Sequence, residues 1–462
     1  MDELSTLLQQ AAGHAAAFRA DLPERRVAPQ AGVAEVAEAL GGPLPDTPTP
    51  PGEVLERLVA GADRGLTASA GPRFFGFVTG GALPAATAAD MLAVGWDQCA
   101  FNPVLSPAAA AAEQVAGGWL KDLLGIPATA SVGFVTGAQQ ANTVGLAAAR
   151  HHVLLEAGWD VERDGLLGAP AVRVVASAER HATIDRALRL LGLGDRCVEE
   201  VPTDDNGAVR ADQLADVLAA GGTGPTIVCL QAGNVNTGAC DDLRGGCDVA
   251  HRHGAWVHLD GAFGLWAAAH PATRHLVAGL EQADSWGCDG HKWLNLPYDS
   301  GFAFCADPTT ARAAVSYAAS YLVGSGGGPP MLADLALESS RRARGFAAWA
   351  GLLELGRDGV AELVARFCAL ARRFADGLAA GGAEILNDVV LNQVLVGFGD
   401  DATTDRVVAA VQDGGEAWFG GTTWRGRRLM RISVCNATTT EADVDRAVAA
   451  VLAAVPTARE QP

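Results

Sequence analysis

Lys292 stands in the run Asp284-Ser-Trp-Gly-Cys-Asp-Gly-His291-Lys292-Trp-Leu-Asn-Leu-Pro, within a chain of 462 residues that has 32 arginines and only two lysines. Arginine does nearly everything a surface lysine does, except lose its proton and attack a carbonyl, because its pKa stays above about 12. A lysine kept beside a histidine, in a Gly- and Trp-containing stretch after an apolar run, reads as a Schiff-base lysine. Pyridoxal phosphate is then the first cofactor to consider. A solvated surface charge is the plainer alternative for any single lysine, and other residues are needed to displace it.

Sites in open α/β sheets form beyond the carboxyl ends of the strands. After the first strand-like run comes Thr136-Gly-Ala138-Gln139-Gln-Ala-Asn142, opening a helix. Small residues there leave backbone N–H groups open to an anion, and the helix dipole favours a phosphate. No Gly-Lys-Ser/Thr is present, which excludes a nucleotide P-loop. Asp260 ends another apolar run and is followed by Gly261-Ala-Phe-Gly264. A carboxylate there can hold a pyridine nitrogen protonated; a helix cap or structural ion pair is the alternative. His181, after the run ending at Ser177, could stack on a flat cofactor or be an ordinary hydrogen-bonded histidine. His251, His253 and His258 resemble a metal cluster in composition. The first two fall on a helix pattern and the third on a strand, at a spacing that matches no ligand motif, so no metal site is expected.

The elements that must position these residues are short β-type runs alternating with helical segments from about 110 to 310. The runs are Ser131–Thr136, Ala171–Ser177, Thr226–Leu230, Ala255–Asp260 and Gly301–Cys305, with helices through Arg150 and near 183–193. This pattern predicts an α/β domain with a mostly parallel sheet covered on both faces. Residues 1–70 read as a helical arm broken by the Pro-rich stretch Gly41–Pro51, with little core of its own and suited to packing on a larger body or a partner subunit. Beyond 340 the helical spacings of Val360, Leu363, Val364, Phe367 and Leu370, and of Val444, Val448, Val451, Leu452 and Val455, flank strand-like Leu391–Phe398 and Arg428–Val434. Thr438 and Glu441 form a candidate capping box for the last helix. Three segments are expected: the arm over 1–70, a large domain over 71–340 and a small α+β domain over 341–462.

Composition narrows the function classes. Hydrophobic residues make up 49% of the chain and charged residues 19%, which fits a globular protein. The net charge of −19 argues against nucleic acid and anionic membranes as partners. The acidic opening Met-Asp-Glu-Leu-Ser-Thr lacks a signal-peptide pattern, and no apolar run approaches the roughly 20 residues needed to cross a bilayer. Nine scattered cysteines without a Cys-x-x-Cys pair read as free thiols in a reducing compartment, so the cytoplasm is expected.

Taken together, the phosphate turn, the histidine, the strand-end aspartate and the His-Lys pair follow a recognisable order. The sequence resembles the group II pyridoxal-phosphate decarboxylases, the fold-type-I family that contains aromatic-amino-acid, glutamate and histidine decarboxylases. The resemblance runs from about Phe74 to the last helix. Its most specific motifs are Val257-His-Leu-Asp-Gly-Ala262 and Ala283-Asp-Ser-Trp through Asp-Gly-His-Lys-Trp293. It implies that Lys292 carries pyridoxal 5'-phosphate as a Schiff base and that Asp260 pairs with the pyridine nitrogen. It also places His181 against one ring face, Ala262 against the other, and Ala138, Gln139 and His291 near the phosphate. Thr237 would lie by the phenolic oxygen. Arg431, in Leu429-Met-Arg-Ile-Ser, would meet the substrate carboxylate, while Phe77 and Phe101 would line the substrate pocket with Phe74 and Phe75. Tyr321 would be the proton donor of a loop that covers the site, commonly in the neighbouring subunit of a homodimer.

Two positions depart from the family pattern. Gln139 replaces a hydroxyl residue, so the phosphate must lean on backbone N–H groups. Asp289 stands where aromatic decarboxylases have asparagine, and such a carboxylate must be turned away or hydrogen-bonded. The loop after Tyr321 is short and glycine-rich. The resemblance implies decarboxylation of an L-amino acid to its amine, with an aromatic or bulky apolar substrate favoured. An acidic substrate, carbon–carbon lysis, aldehyde synthesis and a non-catalytic binding protein on the same fold are the competing readings.

Overall fold

A computed structural model describes residues 3–317 and 331–460. The chain packs as two compact units, one of residues 80–372 and 386–395, the other of residues 1–79, 373–385 and 396–462. The expected arm and small-domain segments both contribute to the second unit.

The N-terminal segment holds α1 (Glu3–Asp21), α2 (Val33–Leu40) and α3 (Pro51–Ala62). None of these helices has a buried residue, as a segment with little core of its own requires.

The larger unit begins with α4 (Pro84–Gly95) and α5 (Pro107–Leu124) and then alternates strand and helix. In order these are β1 (Ser131–Val135), α6 (Ala138–Glu156), the single turn α7 (Val161–Asp164), β2 (Arg173–Ser177), α8 (Ala182–Leu190), β3 (Val198–Val201) and α9 (Ala211–Ala220). They continue as β4 (Thr226–Gln231), α10 (Leu243–Arg252), β5 (Trp256–Asp260), β6 (Ser285–Asp289), β7 (Gly301–Cys305) and α11 (Pro308–Val315). The seven strands lie in the order β1-β7-β6-β5-β4-β2-β3. Pairing is antiparallel only where β7 meets β1 and β6, and parallel elsewhere. This is the mostly parallel sheet the alternating pattern predicts.

Helices cover both faces. Cys229 packs with Leu146 and Ala148 of α6 in one apolar cluster, whereas its neighbour Leu230 lies against Gly246 of α10. Successive residues of a strand point to opposite faces, so α6 and α10 sit on opposite sides of the sheet.

Two strands of this sheet were not legible as apolar runs. β3 is Val-Glu-Glu-Val at the sheet edge, where one flank needs no apolar cover. β6 is Ser-Trp-Gly-Cys-Asp, whose polar and small members alternate with the fully buried Trp286 and Cys288.

The long helix α12 (Gly345–Ala380) is interrupted at Gly356, whose φ of 59° is left-handed. After it come β8 (Glu384–Ile385), β9 (Gln393–Gly397), α13 (Asp401–Gly414), β10 (Gly420–Trp424), β11 (Arg427–Ser433) and α14 (Glu441–Glu460). The four strands form a sheet in the order β10-β11-β9-β8. The cap of α14 corrects the sequence reading. Thr440 and Asp443 make the reciprocal pair, with Asp443 N–H donating to Thr440 Oγ1 at 3.2 Å and Thr440 N–H to Asp443 Oδ2 at 3.0 Å. The Thr438 hydroxyl is engaged one turn earlier, on Asn436.

Candidate active site

Beyond the carboxyl ends of β4 and β5, in the larger unit, lies a cavity of about 310 Å³. Ala138, Gln139, His181, Asp260, Ala262, His291 and Lys292 all line it, joined by Gln231, Gly233, Val235, Phe263 and Asp289. Its volume falls at the lower end of the roughly 300–1,000 Å³ range of small-molecule sites.

Lys292 follows β6 on a turn held by His291 N–H and Gly290 N–H, both donating to Ser300 O. Its Nζ lies 2.8 Å from Asp289 Oδ2. Asp289 is 2% exposed, and its other oxygen accepts the N–H of Ala138, the first residue of α6, at 2.5 Å. The carboxylate that the sequence marks as a problem is thus hydrogen-bonded and paired with a cation. His291 Nδ1 accepts from Ser300 N–H at 3.2 Å, so its proton sits on Nε2, 3.3 Å from Asp289. Burial pulls the imidazole pKa down, opposed by the Asp289 charge.

The turn before α6 is built for close approach. A Cβ on Gly137 would sit 2.8 Å from His291 Cε1 and 2.9 Å from Asp289 Oδ1, so only glycine fits. The 19-residue helix α6 follows it, and its first N–H, that of Ala138, is the one that Asp289 accepts. The Gln139 amide turns aside and donates to Thr183 O at 3.2 Å.

Asp260, the last residue of β5, is buried. Burial pushes its carboxyl pKa up, opposed by His181, Lys292, the Ala262 N–H and the Asn142 amide. His181 caps α8. Its Nδ1 accepts from Thr183 N–H at 3.3 Å and lies 2.9 Å from Thr183 Oγ1, which leaves the ring proton on Nε2. Gln231 ends β4 in register with Asp260, and its buried Nε2 has no partner among the described residues.

Other candidates fall elsewhere. Thr237 is absent from the cavity lining: it lies in the turn after β4, and its hydroxyl donates at 2.7 Å to Asn206 O, in the segment between β3 and α9. Val235 is the residue of that turn on the cavity wall. Phe101 is absent from the lining, and its carbonyl accepts from Ala333 N–H. Phe77 and Arg431 belong to the second unit, where Arg431 Nη2 donates to Phe77 O at 3.2 Å. Burial lowers the Arg431 pKa. Tyr321 lies outside the described residues. The three histidines of metal-like composition are dispersed: His251 pairs with Asp284 at 3.1 Å, His253 ends α10, and His258 is buried in β5.

Gln231, Val235 and Phe263 were missed by sequence reasoning. Gln231 had a readable signal, because a polar residue closing an apolar strand is the same mark that singled out Asp260. Val235 and Phe263 had none, since an apolar side chain in a loop looks the same whether or not it meets a ligand.

These residues fit pyridoxal phosphate. Glycine-lined backbone N–H groups at a helix N-terminus suit a phosphate, Lys292 suits an aldehyde, and buried Asp260 suits a ring nitrogen. The unpartnered Gln231 amide offers a further donor. The match with known proteins agrees. Residues 43–398 match the model of the pyridoxal-dependent decarboxylase conserved domain. The chain is 29% identical to tryptophan decarboxylase 1 of Oryza sativa subsp. japonica over 81% of its own length and 76% of that protein. It is 25% identical to a phenylacetaldehyde synthase of Petunia hybrida over 72% of its length and 68% of that protein. Its fold matches the crystal structure of Oryza sativa TDC with PLP and tryptamine at a TM-score of 0.91, covering 99% and 98% of the two chains at 23% identity. The donor set and the family match together make the chain a member of the pyridoxal-dependent decarboxylases, which take pyridoxal phosphate as their cofactor.

Proposed function

We propose that this protein decarboxylates an aromatic or bulky apolar L-amino acid to its amine. The observation that carries the reading is the convergence of Lys292, Asp260, His181 and the Gly137–Ala138 turn on one cavity at the strand ends. Pyridoxal phosphate bound there supplies an electron sink for the pair left when the bond between Cα and the carboxylate breaks.

The protein's own groups do the rest. Lys292 holds the cofactor covalently through Nζ and accepts or returns a proton there as substrate amine and lysine exchange. Asp260 keeps a proton on the ring nitrogen by its charge. His181 and Ala262, both on the cavity wall, would hold the ring between them and so orient a bound substrate. Ala138, Gln139 and His291, around the turn at Gly137, are assigned to the phosphate. Arg431 is assigned to the substrate carboxylate, with Phe77 beside it as an apolar wall. Tyr321 is assigned to return the proton to Cα, and the working form is taken to be a cytoplasmic homodimer. Apolar side chains left exposed on α2–α4, among them Val33, Leu40, Val54, Leu58, Leu92 and Val94, support an assembled form. Among the described residues no helix is long and apolar enough to cross a membrane.

The substrate preference draws on the tryptophan decarboxylase relative as well as on Phe77. The phenylacetaldehyde synthase relative makes oxidative formation of an aldehyde the second reading, which a loop tyrosine that protonates Cα disfavours. The test is CO₂ release from each common L-amino acid, with amine and oxygen measured alongside. Tryptophan, tyrosine or phenylalanine should give amine without oxygen uptake. Release confined to glutamate or aspartate would refute the aromatic preference, and stoichiometric oxygen uptake with aldehyde would replace the amine reading.

A further inference from the structure

Behind Asp260 runs a chain of buried polar groups that the proposed reaction does not itself use. Trp256, His258 and Asp260 alternate along β5, and Ser285, Gly287 and Asp289 alternate along β6, with His258 paired to Ser285 and Asp260 to Gly287. Their shared face looks onto α6. Trp256 Nε1–H donates to Ser285 Oγ at 3.0 Å, and His258 Nδ1 lies 2.9 Å from the same oxygen. His258 Nε2 lies 3.1 Å from Asn142 Oδ1. The Asn142 amide donates to Thr183 Oγ1 at 3.2 Å and stands near enough to the Asp260 carboxylate to pull its pKa down. Thr183 in turn meets His181 Nδ1.

His258, Asn142 and Ser285 are all 0% exposed. Two glycines make room for them. A Cβ on Gly145 of α6 would lie 2.6 Å from the His258 ring, and one on Gly287 would run into Asn142 Oδ1. An apolar residue would fill this space at less cost than four buried polar groups, which stay only if every donor finds its acceptor.

The proton positions follow from the two ends. Asp260 as an anion accepts only, so Asn142 must turn its NH₂ group toward it and its Oδ1 toward His258. His258 must then carry its proton on Nε2 and accept at Nδ1. Ser285 supplies that proton, because its oxygen is already occupied by the donor-only indole of Trp256. Only a neutral imidazole satisfies both contacts, and full burial holds the His258 pKa down to about 3.

We propose that His258 is a positioning residue whose Nε2–H fixes the Asn142 amide, so that Asn142 holds Asp260 toward the ring nitrogen and, through Thr183, keeps the proton of His181 on Nε2, facing the cavity. The inference rests on the reading of the cavity as the pyridoxal-phosphate site.

The test compares wild type, His258→Phe, His258→Gln, Asn142→Ala and the His258→Phe/Asn142→Ala double variant, each loaded with pyridoxal phosphate. The pH midpoint of the cofactor absorbance change, the rate of cofactor release, kcat and KM are measured. Loss of one hydrogen bond to a charged group predicts about a tenfold change. His258→Phe should therefore move the midpoint by about one pH unit, speed release about tenfold and lower kcat about tenfold, with KM within about twofold. His258→Gln, which can donate to Asn142 and accept from Ser285, should recover most of each change. The double variant should be no worse than Asn142→Ala alone. A wild-type midpoint and release rate in His258→Phe, or effects that multiply in the double variant, would overturn the proposal. Should His258→Phe not fold, Ser285→Ala carries the test: it should shift the midpoint in the same direction, and an unchanged midpoint refutes the chain. A wild-type protein that develops no cofactor band overturns the reading of the site and this inference with it. Normal wild-type loading with unaltered variants overturns the inference alone.

Discussion

Replacing Asp260 by asparagine keeps the size of the side chain and one acceptor oxygen but removes a buried charge. The carboxylate lies buried at the carboxyl end of β5, where the Ala262 N–H donates to it and the nearby Asn142 amide pulls its pKa down. Those donors stabilise an anion, so the site is arranged for charge and not merely for shape. A charge pair about 4 Å apart is worth about 4 kcal/mol at an effective dielectric near 20. If about two-thirds of this attraction is felt as electrons arrive on the ring, the barrier rises by about 2.7 kcal/mol and kcat falls about a hundredfold. The assay is CO₂ release at saturating substrate and cofactor, with bound cofactor measured on the same sample by absorbance. Asp260→Asn should retain cofactor and lose about two orders of magnitude in kcat. A kcat within about threefold of wild type at full cofactor loading would refute the argument and leave Asp260 as a structural carboxylate.

Arg341 and Glu113 form a fully buried two-pronged pair at 2.6 and 2.8 Å, and burial pushes the Glu113 pKa up against the pull of Arg341. Arg341→Ala leaves that carboxylate without its cation and should cost about 3–5 kcal/mol in urea unfolding; a loss under about 1 kcal/mol contradicts this. His258, neutral when folded with a pKa near 3, takes up a proton on unfolding below about pH 6.5, so stability should fall as pH drops through that window. Asp241, whose buried carboxyl is raised to about 7, gives the opposite slope between about pH 4 and 7, because the folded state there holds the extra proton. His258→Gln should therefore become relatively more stable toward pH 5 than wild type, as read by unfolding midpoints at pH 5 and 7, and parallel curves would remove His258 as the titrating group. Tyr321→Phe should still release CO₂ while amine yield falls and oxygen uptake appears, and unchanged amine formation without oxygen uptake assigns the proton to another donor.

The large sheet was legible because Thr226–Gln231 and Trp256–Asp260 are apolar runs closed by polar residues and separated by helical spacing. The site followed from the same logic: Asp260 and Lys292 mark themselves by type and place, and the fold brings both to one cavity. What stayed hidden shares one cause. Strand β6 conceals its buried face because its polar members answer to distant groups, Ser285 to Trp256 and His258 on β5 and Asp289 to α6 and the following turn, contacts that have no local signature. Thr237 shows the limit at finer scale. The resemblance alone assigns it to the phenolic oxygen; its hydroxyl donates to Asn206 O, and Val235 is the residue of its turn on the cavity wall. His258 read as a stray metal-like residue because its partners, Asn142 and Ser285, are 116 and 27 positions away in sequence.

The central claim is that Lys292 carries pyridoxal phosphate at this cavity. Lys121, the other lysine, is engaged with the carbonyls of Ala128 and Ala130 at 2.6 and 2.8 Å and stands apart from the cavity lining. The purified protein, loaded with pyridoxal phosphate and reduced with borohydride, is digested and its labelled peptide sequenced. The account predicts loss of an absorbance band near about 420 nm and a single pyridoxyl-modified residue, Lys292, with Lys292→Ala left unlabelled. Label on Lys121, or on Lys292→Ala to the wild-type extent, would contradict it.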